Sequence, residues 1–109
     1  MSDLDTLRRS WEGRRFEAWE GMVPEGRAED TEACIRQTID EIIVLGPKPE
    51  KRDVRAAVER CVGRFNQMED GPWIMTTERE DIYYALAQIV DLTGVECADF
   101  DDWFWNADW

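Results

Sequence analysis

Between residues 54 and 68 the apolar side chains Val54, Ala57, Val58, Cys61, Val62, Phe65 and Met68 recur at steps of three and four without a break. Only an α-helix gathers that spacing into one stripe, because alternation with period two fails throughout the segment. A helix with a single apolar stripe cannot hide it alone, so the rest of the chain has to supply covering elements. At 109 residues there is room for one domain and one modest core.

The covering elements read as helices too. Ile35, Ile39, Ile42 and Ile43 form a stripe in a segment from about Asp30 or Thr31 to Leu45, with Glu32, Arg36, Gln37, Asp40 and Glu41 on the opposite face and Gly46-Pro47 as the stop. Isoleucine content alone would suit a strand, but the helical period decides. Leu4, Leu7, Trp11, Phe16, Ala18, Trp19 and Met22 follow a looser helical spacing after Ser2 or Asp3 as cap; Gly13 weakens it, and Gly21 with Val23-Pro24-Glu25-Gly26 ends it. Pro49 suits the first turn of the central helix, and Arg55 and Glu59 stand one turn apart on its wet side.

Asp70-Gly71-Pro72 marks a turn, after which Thr77-Glu78-Arg79-Glu80 has the pattern of a capping box. It predicts a last helix with Ile82, Ala85, Leu86, Ile89 and Val90 buried and Gly94 as its left-handed terminator, Val95 folding back against it. Tyr83 and Tyr84 point about 100° apart on that helix, so one of them is expected to be exposed. The fold class is therefore all-α: a single domain over 1–109, a bundle of about four helices, with 96–109 as a short acidic-aromatic segment packed on it. If that segment is helical, Phe100, Trp103 and Phe104 share a face.

Composition excludes several functions. The chain has no histidine, which removes the commonest general base and the commonest zinc ligand. Cys34, Cys61 and Cys97 are odd in number and far apart in sequence, which speaks against a disulfide framework and against a Cys-x-x-Cys zinc pair; the first two fall at apolar helix positions and read as reduced core residues. No enzyme activity, cofactor or metal is expected. No apolar run approaches the roughly 18 residues that span a bilayer, and Met1-Ser2-Asp3-Leu4-Asp5 lacks the features of a signal peptide, so no membrane contact and a cytoplasmic location are expected.

Charge is the functional clue. Residues 65 to 109 hold eleven acidic side chains and one basic one, so most of the net charge of -12 lies there. The segment ends in a run in which Glu96, Asp99, Asp101, Asp102 and Asp108 alternate with Phe100, Trp103, Phe104, Trp105 and Trp109. Carboxylates crowded together repel one another, and a basic partner relieves that cost while aromatic rings supply contact area. Glu96, Asp99, Asp101, Asp102, Trp103, Trp105 and Asp108 are therefore the candidate partner-binding residues. The doublets Arg8-Arg9 and Arg14-Arg15 are read as answering carboxylates of the same chain, including those of the acidic end; a sequence pI near 4.3 opposes direct nucleic-acid binding.

The stretches Arg64-Phe65-Asn66, Ile74-Met75-Thr76-Thr77-Glu78-Arg79-Glu80-Asp81-Ile82 and Asp101-Asp102-Trp103, on a small, acidic, histidine-free helical chain, resemble bacterial immunity proteins that neutralise polymorphic toxins. That resemblance implies a protein partner, a cognate toxin domain with a basic cleft for nucleic acid, and inhibition by occlusion of that cleft, with Asp99, Asp101, Asp102, Asp108 and Glu96 in the places of phosphates and Trp103 and Trp105 as the desolvated anchors. The alternatives are a phosphate mimic that regulates a DNA-binding enzyme, and a small protein–protein adaptor. A mimic would array carboxylates at phosphate-like intervals over an extended face; an immunity protein would concentrate its energy in a few residues.

Overall fold

A computed structural model describes residues 3–13, 15–19, 21, 23–68, 74, 76–105 and 107. Among these residues there are four α-helices and no strand: α1 (Asp3–Ser10), α2 (Arg27–Val44), α3 (Lys51–Met68) and α4 (Thr76–Thr93), with short 3-10 segments at Glu17–Trp19 and Phe100–Phe104. Helix α2 packs against α1, α3 and α4, and the second 3-10 segment lies on α3.

The stripes read from the sequence are the ones that face inward. Ile35, Ile39 and Ile42 of α2 meet Val54, Val58, Cys61 and Phe65 of α3 and Ile82, Leu86, Ile89 and Val90 of α4 in one core, all of them fully buried. Ile43 is partly buried at its edge. Helix α4 stops where expected: Gly94 takes φ +77°, a conformation that costs a residue with a Cβ but not glycine, and Val95 packs back on the core.

The first helix is much shorter than its apolar spacing predicts. It ends at Ser10, whose hydroxyl donates to the Leu7 carbonyl at 2.6 Å, and the chain then turns through Trp11 and Gly13. Phe16 and Trp19 still reach the core, the first from a loop and the second from the 3-10 segment that follows it: Phe16 stacks on Trp19 with ring centroids 4.2 Å apart and meets Trp11 edge-on at 5.4 Å. Ala18 is exposed, and Met22 lies outside the described residues.

Glu32 holds this loop. Its carboxylate, buried with 2% exposure, accepts the backbone N–H groups of Arg15 and of Phe16, the latter at 2.8 Å. The wet-face position expected for Glu32 is thus corrected: it stands one turn from Ile35 on the inner side, where an anion compensates backbone donors that no helix satisfies. Trp19 Nε1 adds a bond to Asp81 on α4 at 2.8 Å.

Two boundary expectations also shift. Thr77 lies inside the first turn of α4, exposed, so it is not the cap; the helix begins a residue earlier and Glu78 is the buried carboxylate of that turn. Pro49 precedes α3, and Glu50 closes its start by accepting the N–H groups of Asp53 and Val54, both at 3.1 Å. The turn expected at Asp70-Gly71-Pro72 lies outside the described residues.

Glu32→Ala is expected to cost roughly 2–3 kcal/mol, because it strands two backbone donors at once. Urea unfolding midpoints that coincide for variant and parent would rule out the carboxylate as the loop's anchor. Gly63, in the middle of α3, has open space where a Cβ would stand, so Gly63→Ala should raise stability by about 0.5–1 kcal/mol in the same assay.

Candidate functional site

After Gly94 the chain crosses back over α3. Glu96 Oε1 accepts the Ala98 N–H at 2.5 Å, and the Cys97 and Asp99 carbonyls accept from Phe100 and Asp102 at 3.0 and 2.9 Å, closing tight three-residue turns. With three residues per turn, side chains at i and i+3 stand in columns. The 3-10 segment therefore sorts its residues into three rows with three environments.

Phe100 and Trp103 form the inner row. Trp103 is fully buried and Phe100 nearly so, their rings 5.2 Å apart, edge to face. Trp103 therefore belongs to the core. Its expected role as an anchor for a partner is corrected, since a ring already desolvated by its own chain has no surface to offer. Asp101 and Phe104 form the second row, beside α4. The Tyr83 hydroxyl donates to Asp101 Oδ1 at 2.6 Å, and the Tyr83 ring lies 5.5 Å from Phe104. That bond, more than burial, pushes the Tyr83 phenol up to about 12. Arg79, Tyr83, Asp101, Phe104 and Ala107 line a largely apolar groove of about 280 Å³ here.

Asp102 and Trp105 form the outer row. The Asp102 side chain is exposed, with no hydrogen-bond or ion-pair partner among the described residues, and Trp105 is 72% exposed. The indole is nonetheless fixed at one edge, where Nε1 donates to Glu59 Oε2 at 2.5 Å. Glu59 also pairs with Arg55 at 3.7 Å, the one-turn pair read from the sequence. Its link to Trp105 had no sequence signal, because the two positions are 46 residues apart.

Glu96 and Asp99 behave differently from Asp101 and Asp102. Lys51 Nζ lies 2.7 Å from Glu96 and 2.9 Å from Asp99, and Arg55 approaches Asp99 at 3.6 Å. The Lys51 ammonium holds both carboxyls below their ordinary values, and in return its own value is raised, first by Glu96 and then by Asp99. The buried Trp103 indole N–H adds a smaller pull on Asp99, as an electrostatic contact rather than a formed hydrogen bond. These two carboxylates fasten the segment to α3 and are partly neutralised by the chain itself. Asp108 lies outside the described residues.

Among the described residues no arginine of the two doublets meets the acidic end, and Arg14 lies outside them. Arg8 pairs with Asp40 at 2.8 Å and with Glu12 at 3.9 Å, and Arg15 donates to the Ser10 hydroxyl at 3.0 Å and covers the Trp11 ring at 4.6 Å. The charges that meet the acidic segment come from α3. The pair Tyr83 and Tyr84 divides as expected, Tyr84 being 67% exposed.

No helix among the described residues is long and apolar enough to cross a membrane, and none of their His, Cys, Asp and Glu side chains form a group of three suited to a metal ion. No family model, curated protein or solved structure matches the chain.

Lys51→Met should loosen residues 96–105 while leaving the bundle intact, read as faster amide exchange confined to that segment. The pH dependence has a definite sign. Depressed carboxyl values mean that the attachment is in place above the ordinary carboxylate range and is lost as pH falls through the folded values of Glu96 and Asp99. The raised Lys51 value means that it is also lost as pH rises through the folded lysine value. Exchange in 96–105 that is flat across the acid limb would show that the ion pairs carry no part of the attachment.

Proposed function

We propose that this chain is an inhibitory binding protein of the immunity type, acting in the bacterial cytoplasm on a cognate toxin domain that works on nucleic acid. Asp101, Asp102 and Trp105 form its recognition patch, and inhibition follows from filling a basic cleft. The observation that carries the reading is the outer row: a carboxylate without a partner among the described residues beside a tryptophan that is 72% exposed yet tethered at its indole nitrogen.

Exposing a large ring costs free energy that no folding role returns here, whereas a rigid ring with few free torsions is a good contact for a partner. The groove beside Asp101 suits the same chemistry. An arginine or lysine stem can lie over the Tyr83 and Phe104 rings and place its charge on Asp101, with Arg79 the single basic group of that rim. The surrounding charge of -12 speeds encounter with a cationic surface, and the few aromatic contacts then hold the complex.

Pairing of Glu96 and Asp99 with Lys51 weighs against the phosphate-mimic alternative. Such a mimic needs a long row of unpaired carboxylates, and in the described part of 96–105 only Asp101 and Asp102 remain clear of cations.

Stopped-flow association with the toxin domain that co-purifies with this chain from its host is the test. The joint change Asp101→Lys, Asp102→Lys should slow association by about tenfold or more at low salt and change dissociation much less, with the melting temperature unchanged. Trp105→Ala should act in the opposite way, speeding dissociation by roughly 30-fold for a contact worth about 2 kcal/mol. Association and dissociation rates equal to the parent's for both variants would remove this patch from the interface.

A further inference from the structure

Helices α2 and α3 bring Cys34 and Cys61 together, although 27 residues separate them in the sequence. Their sulfurs stand 3.5 Å apart, within the closest packing of the two helices, and both thiols are free. Arg64, one turn beyond Cys61, turns its guanidinium toward the pair: Nε lies 3.3 Å from Cys34 Sγ, while the other arm donates to the Thr38 hydroxyl at 3.0 Å and reaches Glu41 at 3.6 Å. A structural thiol in an apolar core needs no arginine beside it.

The two sulfurs differ in access. Cys61 is fully buried, whereas Cys34, at 4% exposure, lines an open groove of about 420 Å³ with Ala33, Gln37, Arg64, Gln67 and Met68. We propose that Cys34 and Cys61 are a peroxide-reactive thiol pair, Cys34 being the sulfur attacked from the groove, Arg64 its charge partner and Cys61 the resolving thiol that closes a disulfide between α2 and α3.

The electrostatics agree with this assignment. As a neutral thiol, Cys34 can donate to the Cys61 carbonyl at 3.8 Å or to the Cys61 sulfur at 3.5 Å; as a thiolate it accepts from Arg64 at 3.3 Å and from the Cys61 thiol at 3.5 Å, the first of these charge-assisted. The Cys61 hydrogen bond, opposed by burial and aided by Arg64, brings Cys34 down to about 7, and burial pushes Cys61 well up.

The steps balance with hydrogen peroxide as oxidant. The Cys34 thiolate attacks one peroxide oxygen, the O–O bond breaks, and hydroxide leaves, taking a proton to become water. The sulfur of Cys61 then attacks the Cys34 sulfenic acid; its S–OH bond breaks, and the departing hydroxide takes the Cys61 proton as a second water. Both thiols are oxidised by one electron each and the peroxide is reduced to two waters. The inference is independent of the toxin partner.

Peptide mapping by mass spectrometry after brief exposure of the native protein to hydrogen peroxide tests it, with Cys97 as internal control. Cys97 is the most exposed of the three cysteines, so simple accessibility favours it. The expected product is a Cys34–Cys61 crosslink, lighter by two hydrogens and reversed by dithiothreitol, formed about tenfold or more faster than Cys97 is modified. Arg64→Leu should slow crosslinking by about tenfold, and Cys61→Ala should leave a Cys34 sulfenic acid that dimedone traps. Oxidation of Cys97 ahead of Cys34, oxidation of Cys34 in the parent without crosslinking, or an unchanged rate in the Arg64 variant would each overturn the proposal. The parent protein alone decides the first two, whatever the folding of the variants.

Discussion

Burial of the α2 isoleucine stripe is the constraint from which the remaining arrangement follows. Ile35, Ile39 and Ile42 have no exposed surface, and their helix is in contact with α1, α3 and α4. Each such side chain contributes about 1.5–3 kcal/mol relative to exposure, so the stripe fixes which faces of the three neighbours turn inward. Once α3 and α4 are set against it, the row formed by Phe100 and Trp103 closes the core from the C-terminal side. The acidic segment is thus positioned by apolar packing, and its ion pairs to Lys51 and Arg55 refine a location that the rings have already determined.

The long periodic stripes of α2, α3 and α4 were legible because amphipathic spacing survives any particular tertiary arrangement. The αL stop at Gly94 was legible for a similar reason, since local backbone conformation alone demands it. The first segment was not. Leu4 to Trp19 has apolar residues at near-helical spacing, yet Glu32, a residue of another helix, satisfies the backbone of an alternative loop there. Nothing within that segment encodes the competition. The same holds for Thr77, which the helix start at Thr76 places inside the first turn while Glu78 is buried.

In the acidic segment the composition was legible, but the sorting of its side chains was not. Composition grouped seven residues, whereas the structure assigns Trp103 to the core, Glu96 and Asp99 to attachment, and Asp101, Asp102 and Trp105 to the outside. The missing information was the cation on α3: Lys51 lies 45 residues from Glu96, and no local pattern pairs them. Cys34 and Cys61 illustrate the same point in a different chemistry, as each looks like an ordinary small core residue until two helices set their sulfurs side by side with Arg64.

The three-residue repeat of Phe100–Phe104 has a consequence for how this surface can change. Replacing Asp102 or Trp105 alters what is presented outward without disturbing the rings beneath, so the outer surface can change while the fold stays constant. Changing the length is a different matter. One residue added between Asp101 and Asp102 would turn every following side chain by a third of a revolution, drawing the outward indole toward the interior, moving the sequestered one to the side that faces Tyr83 and turning Phe104 into water. Such a segment can drift freely in chemistry but is locked in phase.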